Sequence, residues 1–209
     1  MWVIVYAVLL ENFSMKTLLL LFSFLVSDFF SHAQMDTALV NRLNAVLNHT
    51  KAKEYDKIMD YTYSKLFEIV PREALIEAMQ ESFDTDDFTI ELDSMKIDTI
   101  YPVFIINDTS YVVARHTMLM RMKYSEPFDT ANSESSKILV TMMEAKFGTG
   151  NVRFDKKANS LNILMKPDIV GIKEKSSGLW TFVNLDENNP AMLRFLFSSP
   201  VIKKIKEYQ

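Results

Sequence analysis

The sequence predicts an α+β domain. Helices come first and pack in the concave face of a curved antiparallel sheet of roughly five to six strands, with short helices at the C-terminus. Three observations carry this reading. Apolar residues recur at helical spacing from residue 36 to about residue 83. The period then changes to two. Two prolines, Pro190 and Pro200, open apolar stretches near the end.

From Asp36, a plausible N-cap, "DTALVNRLNAVLNHT" sets Leu39, Leu43, Val46 and Leu47 on one stripe. "AKEYDKIMDYTYSKLFEIV" continues the helical spacing through Tyr55, Ile58, Met59, Thr62 and Leu66. Pro71 suits the first turn of a third helix, "PREALIEAMQESF", with Ala74, Leu75, Ala78 and Met79 as its apolar positions. "FTIELDSMKIDTI" and "SYVVARHTMLMRMKY" then alternate as strands, followed by "KILVTMMEAKF", "SLNILMK", "IVGIKE" and "LWTFVNL". The polar connector "SEPFDTANSESS" reads as a mobile hairpin loop, and Asn159 and "KSSG" as turns. The alternation implies one wet sheet face and one covered face.

The N-terminus carries two apolar runs. The second, "MKTLLLLFSFLVSDFFSHAQ", has Lys16, an apolar stretch from Leu18 to Val26, and Ser31-His32-Ala33 before Gln34. Those are the parts of a secretory signal peptide cleaved after Ala33. Neither run reaches the length of about 20 apolar residues that a membrane span needs. The expected organisation is an upstream start-codon misannotation over 1–14, a signal peptide over 15–33, and one domain over 34–209. The expected location is periplasmic or extracellular. The rival reading is an uncleaved anchor or a two-pass hairpin.

Composition excludes several chemistries. The chain has no cysteine, so thiol catalysis, Fe–S clusters and cysteine-based zinc sites are closed to it. Loss of the leader leaves only His49 and His116 as histidines and moves the net charge from −4 to −3. Acidic and basic residues are interspersed, with no basic stripe to track phosphates, so no nucleic-acid partner is expected. With four glycines there is no Gly-rich phosphate loop. No nucleophile elbow and no His-Glu-x-x-His helix occurs. "DTDDFTIELD" fails as a calcium loop, because Thr89 stands where glycine is required and Met95 where a glutamate is required. No cofactor is expected.

The paired opening helices, the "EYDKIMDYTY" segment, the short helix at "PREALIEAM" and the closing "GLWTFVNL" strand resemble the nuclear-transport-factor-2-like superfamily. That α+β family includes ketosteroid isomerase, and the chain is similar to its exported bacterial members. The resemblance covers roughly Asp36 to Leu185. It implies a curved sheet wrapped around helices, a pocket at the open end, and frequent homodimers through the sheet's outer face. No catalytic residue transfers position by position.

The candidate site is the stretch "HTMLMRM". On a strand, Val112, Ala114, His116, Met118, Met120 and Met122 share one face, and Arg115 and Arg121 share the other. The apolar row is expected to face the helices. Its deeper methionines should pack among Leu43, Ile58 and Met59, with the His116 end nearest a pocket. Three readings stand: a methionine-filled core, a pocket for a small apolar ligand, and a Cu(I) site. For copper, alternate residues lie about 6.6 Å apart along a strand, so other strands must contribute thioethers. Met142, Met143 and Met165 are the donors in view. Tyr63 and Trp180 are polar-tipped aromatics able to reach the pocket, and Glu144, read on a strand face with Ile138, Val140 and Met142, is the best candidate base. The expected function is a non-enzymatic exported module binding a small apolar ligand. The alternatives are a small hydrolase or isomerase using the same pocket, and a protein-interaction module acting through the sheet face.

Overall fold

Local sequence signals account for most of the elements. A computed structural model describes residues 36–126, 133–185 and 189–208. The segments read as an upstream start (1–14) and a leader (15–33) lie outside the described residues, as does the middle of the 125–136 connector. Helix α1 (Thr37–Lys51) follows Asp36 directly and buries Leu39, Leu43, Val46 and Leu47, the four residues of the predicted stripe. Helix α2 (Tyr55–Tyr61) buries Ile58 and Met59. The helical run predicted to continue through Leu66 breaks instead at Thr62, whose ψ of 141° is extended. There the backbone joins the last strand, and the Tyr63 amide donates to the Phe182 carbonyl at 2.9 Å. A short 3-10 turn (Ser64–Glu68) follows, then α3 (Arg72–Phe83) with Pro71 at its N-cap. Leu75 and Met79 of α3 face inward as expected, whereas Ala74 and Ala78 are exposed and Ile76 takes the inner place.

Seven antiparallel strands form one curved, unclosed sheet: β1 (Phe88–Ile100), β2 (Phe104–Ile106), β3 (Thr109–Tyr124), β4 (Val152–Asp155), β5 (Ser160–Met165), β6 (Asp168–Lys173) and β7 (Trp180–Asn184). Short β2 and β4 escape sequence reading because each is too brief to show a period. Asn107 and Asp108 both take positive φ, 51° and 60°, which closes the two-residue hairpin between β2 and β3. Asn159 (φ 49°) and Gly178 (φ 64°) mark the two predicted turns.

Strand β3 is the spine. One edge pairs with β1 and β2; the other pairs with β6 along its first half and β5 along its second. Met118 opposes Met165 and Arg115 opposes Asp168, so β5 and β6 keep a single register along β3 and are interrupted only at Lys166-Pro167. On the opposite edge the register shifts at Asp93 and again at Asp98. Such bulges bend a strand and add twist. Both bulged aspartates turn back onto β3, Asp93 to Arg121 at 2.6 Å and Asp98 to the Thr117 hydroxyl at 2.6 Å.

Residues 137–147, predicted as a strand, are helix. They belong to α4 (Ser133–Phe147), which packs Leu139, Val140, Met143 and Phe147 against β3 and β5. β-Branched Ile138, Val140 and Thr141 gave a false alternation. The strong helix formers Met142, Met143, Glu144, Ala145 and Lys146 pointed the other way. The C-terminal helices start where the prolines predict, α5 at Pro190–Leu196 and α6 at Ser199–Lys206. They cover the second face of the sheet. Leu196, Phe197, Val201 and Ile205 lie over Val113, Val170 and Ile172, so this half of the sheet is dry on both sides. The predicted wet face survives only at the other half, where Arg121 pairs with Glu91 and Asp93.

Candidate functional site

The concave face carries a cavity of about 770 Å³, walled by β1, β3, β5, β6, β7, α1–α4 and the start of α5. Its size lies within the usual range of small-molecule sites. His116, Met118, Met120 and Met122 all contribute to the wall. Of the methionines among the described residues, all but Met142 line this cavity; Met142, 67 % exposed, points away on the outer side of α4.

The faces of β3 are those predicted. Met118 and Met120 point inward, and Arg115 and Arg121 outward onto Asp168 and Asp93. What covers the methionines differs. Val112 and Ala114 are the residues packed with Leu43, Ile58 and Met59. Met118, Met120 and Met122 pack with Leu139, Val140, Met143 and Phe147 of α4. The cover was missed because α4 was read as a strand. Depth is also reversed, since His116 is the more deeply enclosed end at 3 % exposure.

Three cross-strand rungs stand on the sheet side of the cavity, and their β1 and β3 members, with Met165, reach its wall. Leu92, Met120 and Ile163 form one, and Ile90, Met122 and Leu161 another. Between Leu92 and His116 stands the third: Met95, Met118 and Met165, one methionine from each of three adjacent strands. Directly opposed residues have Cβ atoms about 4.5–5.5 Å apart, so these thioethers are neighbours.

The next rung is Ile97, His116 and Pro167. The His116 amide donates to the Pro167 carbonyl at 3.2 Å. Proline has no N–H, so the reciprocal ladder bond to the His116 carbonyl is missing. The His116 side chain is also incompletely satisfied: its Nδ1 is buried with no hydrogen-bond partner. Burial pushes the imidazole pKa below its ordinary value, against the opposing pull of Asp98 and Asp168. His116 is therefore neutral at pH 7, with one nitrogen able to accept and one able to donate.

Three hydroxyls on the wall are already engaged, and Asn184 is exposed. The Thr50, Thr62 and Ser82 hydroxyls donate to the carbonyls of Val46, Ile58 and Ala78, each one turn back on its own helix. Lys146 stands exposed at the rim, against the Phe147 ring. Among the described residues, no aspartate or glutamate belongs to the wall.

Of the five residues singled out in the sequence, His116 and Met118 meet in this cavity and the other three lie elsewhere. Tyr63 is buried on the opposite side of the sheet, stacked on Phe197, with its hydroxyl donating to Glu174 at 3.4 Å. Burial first, and then the Glu174 charge, pushes that hydroxyl up to about 12. Trp180 is packed beneath α1, where the Arg42 guanidinium donates to its carbonyl at 2.6 Å. Glu144, assigned to a strand face, sits on α4 and accepts from the Gly150 amide at 2.6 Å, closing the turn after the helix. Met95 went unnoticed as a wall residue because the register between β1 and β3 depends on two bulges. Among the described residues no group of three or more His, Asp or Glu is placed to hold a metal ion, and no helix is long and apolar enough to cross a membrane. Comparison with protein-family models, with curated proteins and with solved structures finds no match to this chain.

Proposed function

We propose that this chain is an exported, non-enzymatic binding module that holds a small apolar molecule in the methionine-lined cavity. The observation that carries the reading is the cavity itself: about 770 Å³ of space on the concave face, walled by methionine, leucine, isoleucine and phenylalanine. A half-open, mainly apolar concavity of this size is the usual form of a small-molecule site. Methionine suits the task, since its unbranched, polarizable side chain adapts to ligands of varied shape. The resemblance to the nuclear-transport-factor-2-like superfamily supports the same reading, because that family places its pocket between helices and a curved sheet. A hydrolase or isomerase would need convergent ionisable groups, and His116 stands on the wall without a carboxylate beside it there.

The test is binding of a neutral apolar dye, N-phenyl-1-naphthylamine, to the chain from Gln34 onward. Saturable binding with one dye per chain is expected, and Met118→Trp, which fills the cavity, should abolish it. Binding unchanged in that variant would place the dye elsewhere and defeat the reading. Export rests on the leader sequence. Expressed from Met15 in a secreting bacterium, the protein should begin at Gln34; an intact mass that retains 15–33 would refute cleavage. A homodimer through the sheet, which the resemblance implies, would have to use the half bearing Arg121, because α5 and α6 occupy the other half.

One observation favours a second reading. The Met95–Met118–Met165 rung supplies the cross-strand thioethers that Cu(I) requires, one position from His116. This reading demands tight Cu(I) binding in competition with bicinchoninate, lost in Met118→Leu while dye binding persists. Cu(I) binding no tighter than that of the Met118→Leu protein would remove it.

A further inference from the structure

Resting on the binding role proposed above, we infer that the ligand is an uncharged amphiphile, a long-chain or ring-bearing alcohol or carbonyl compound, whose one polar group bonds to His116. Among the described residues, the cavity wall holds a single buried side chain with an unmet hydrogen-bonding demand. His116 Nδ1 is enclosed and unpartnered, while the Thr50, Thr62 and Ser82 hydroxyls are tied to their own helices. Its own rung cannot answer the demand. Ile97 is aliphatic, and Pro167 brings no N–H. Its neighbours on the same face, Ala114 and Met118, bring no strong donor either. A buried nitrogen left without a partner carries a desolvation cost, which a ligand hydroxyl or carbonyl removes once the ring turns to present that nitrogen to the cavity.

Charge selects against the alternatives. An anionic group at this depth would meet a neutral imidazole with Asp98 and Asp168 close enough to act on it. A cationic group beside His116 would find no carboxylate among the described wall residues and would lose its hydration without compensation. Apart from those three hydroxyls and the exposed Lys146 and Asn184, the described wall is apolar, so a second polar group buried beside His116 would be stranded. Lys146, at the rim, lies where a ligand's outer end would meet water.

The experiment measures displacement of N-phenyl-1-naphthylamine by 1-decanol, decane and decanoate at pH 8, from the wild-type chain and from His116→Leu and His116→Gln. The ratio of decanol to decane affinity should fall about tenfold in His116→Leu, the loss of one hydrogen bond. It should be largely kept in His116→Gln, which retains a donor and an acceptor. Decanoate should bind the wild type more weakly than decanol does. An equal decanol-to-decane ratio in wild type and His116→Leu overturns the inference. Decanoate binding as tight as decanol overturns it too, and that comparison needs only the wild-type protein should the leucine variant not fold. If the chain binds the dye and decane but shows no preference for decanol, this inference alone fails. If neither dye nor decane binds, the binding role fails and takes the inference with it.

Discussion

His116 and Arg115 are adjacent on β3 and face opposite sides of the sheet, and each has a stability consequence of its own. Arg115 makes a two-pronged bond to Asp168, both contacts at 2.8 Å, with the Asp168 side chain only 9 % exposed. Asp168→Ala should cost about 2 kcal/mol in urea unfolding. That is below the 3–5 kcal/mol typical of a fully buried pair, since solvent reaches the arginine. His116 gives a pH signature. Its folded pKa is below the unfolded value of about 6.5, so the unfolded chain takes up a proton first as pH falls. Its contribution is complete above about pH 6.5 and is lost progressively below it, with Asp98 and Asp168 moderating the loss. Stability measured at about pH 7.5 and about pH 5.5 should fall more in the wild type than in His116→Leu. An identical fall in both proteins would show that the imidazole titrates alike in the folded and unfolded chain. Met120→Ala should cost about 2 kcal/mol, the low end for a buried methionine, because one side of the residue already faces open space.

At the scale of elements, strand β6 shows how closely the layers approach. A Cβ added to Gly171 would stand 2.7 Å from Val112 Cγ1 and 3.1 Å from Phe182 Cε1. Neither neighbour has room, since both are buried in the core under α1. Gly171→Ala should therefore destabilise by about 1–3 kcal/mol, and a melting temperature at or above the wild type would disprove the close approach. The sequence made β6 itself legible through its apolar run, but not the reason for its glycine, which lies in two other strands. Helix α4 is the converse case. Its stripe of Leu139, Val140, Met143 and Phe147 was there to be read, yet β-branched residues within a short window imitate alternation. The error hid half of the cavity wall. The break at Thr62 was illegible for a different reason: the pull comes from β7, some 120 residues later, where Phe182 takes the Tyr63 amide.

For the whole molecule, the order of helices and strands, α4 and the brief β2 and β4 apart, was legible because it depends on local period, and the cavity was not because it depends on bulges and on register. His116 and Met118 could be named since they share a strand with visible alternation. Tyr63 and Trp180 could not be placed, because a polar-tipped aromatic has the same local sequence whichever cluster it joins. The C-terminal helices are part of the fold and not an appendage, as Val113, Val170 and Ile172 lie beneath them. Removing residues 189–209 should expose that surface and abolish cooperative thermal unfolding; a truncated chain with an unchanged transition would contradict the two-sided core. The central claim, that the methionine wall encloses a binding site, is tested most directly by methionine methyl NMR during titration with 1-decanol. Resonances of Met118, Met120 and Met165 should shift and saturate together while that of exposed Met142 stays in place. Shifts confined to Met142, or none at all up to the solubility limit of the alcohol, would contradict it.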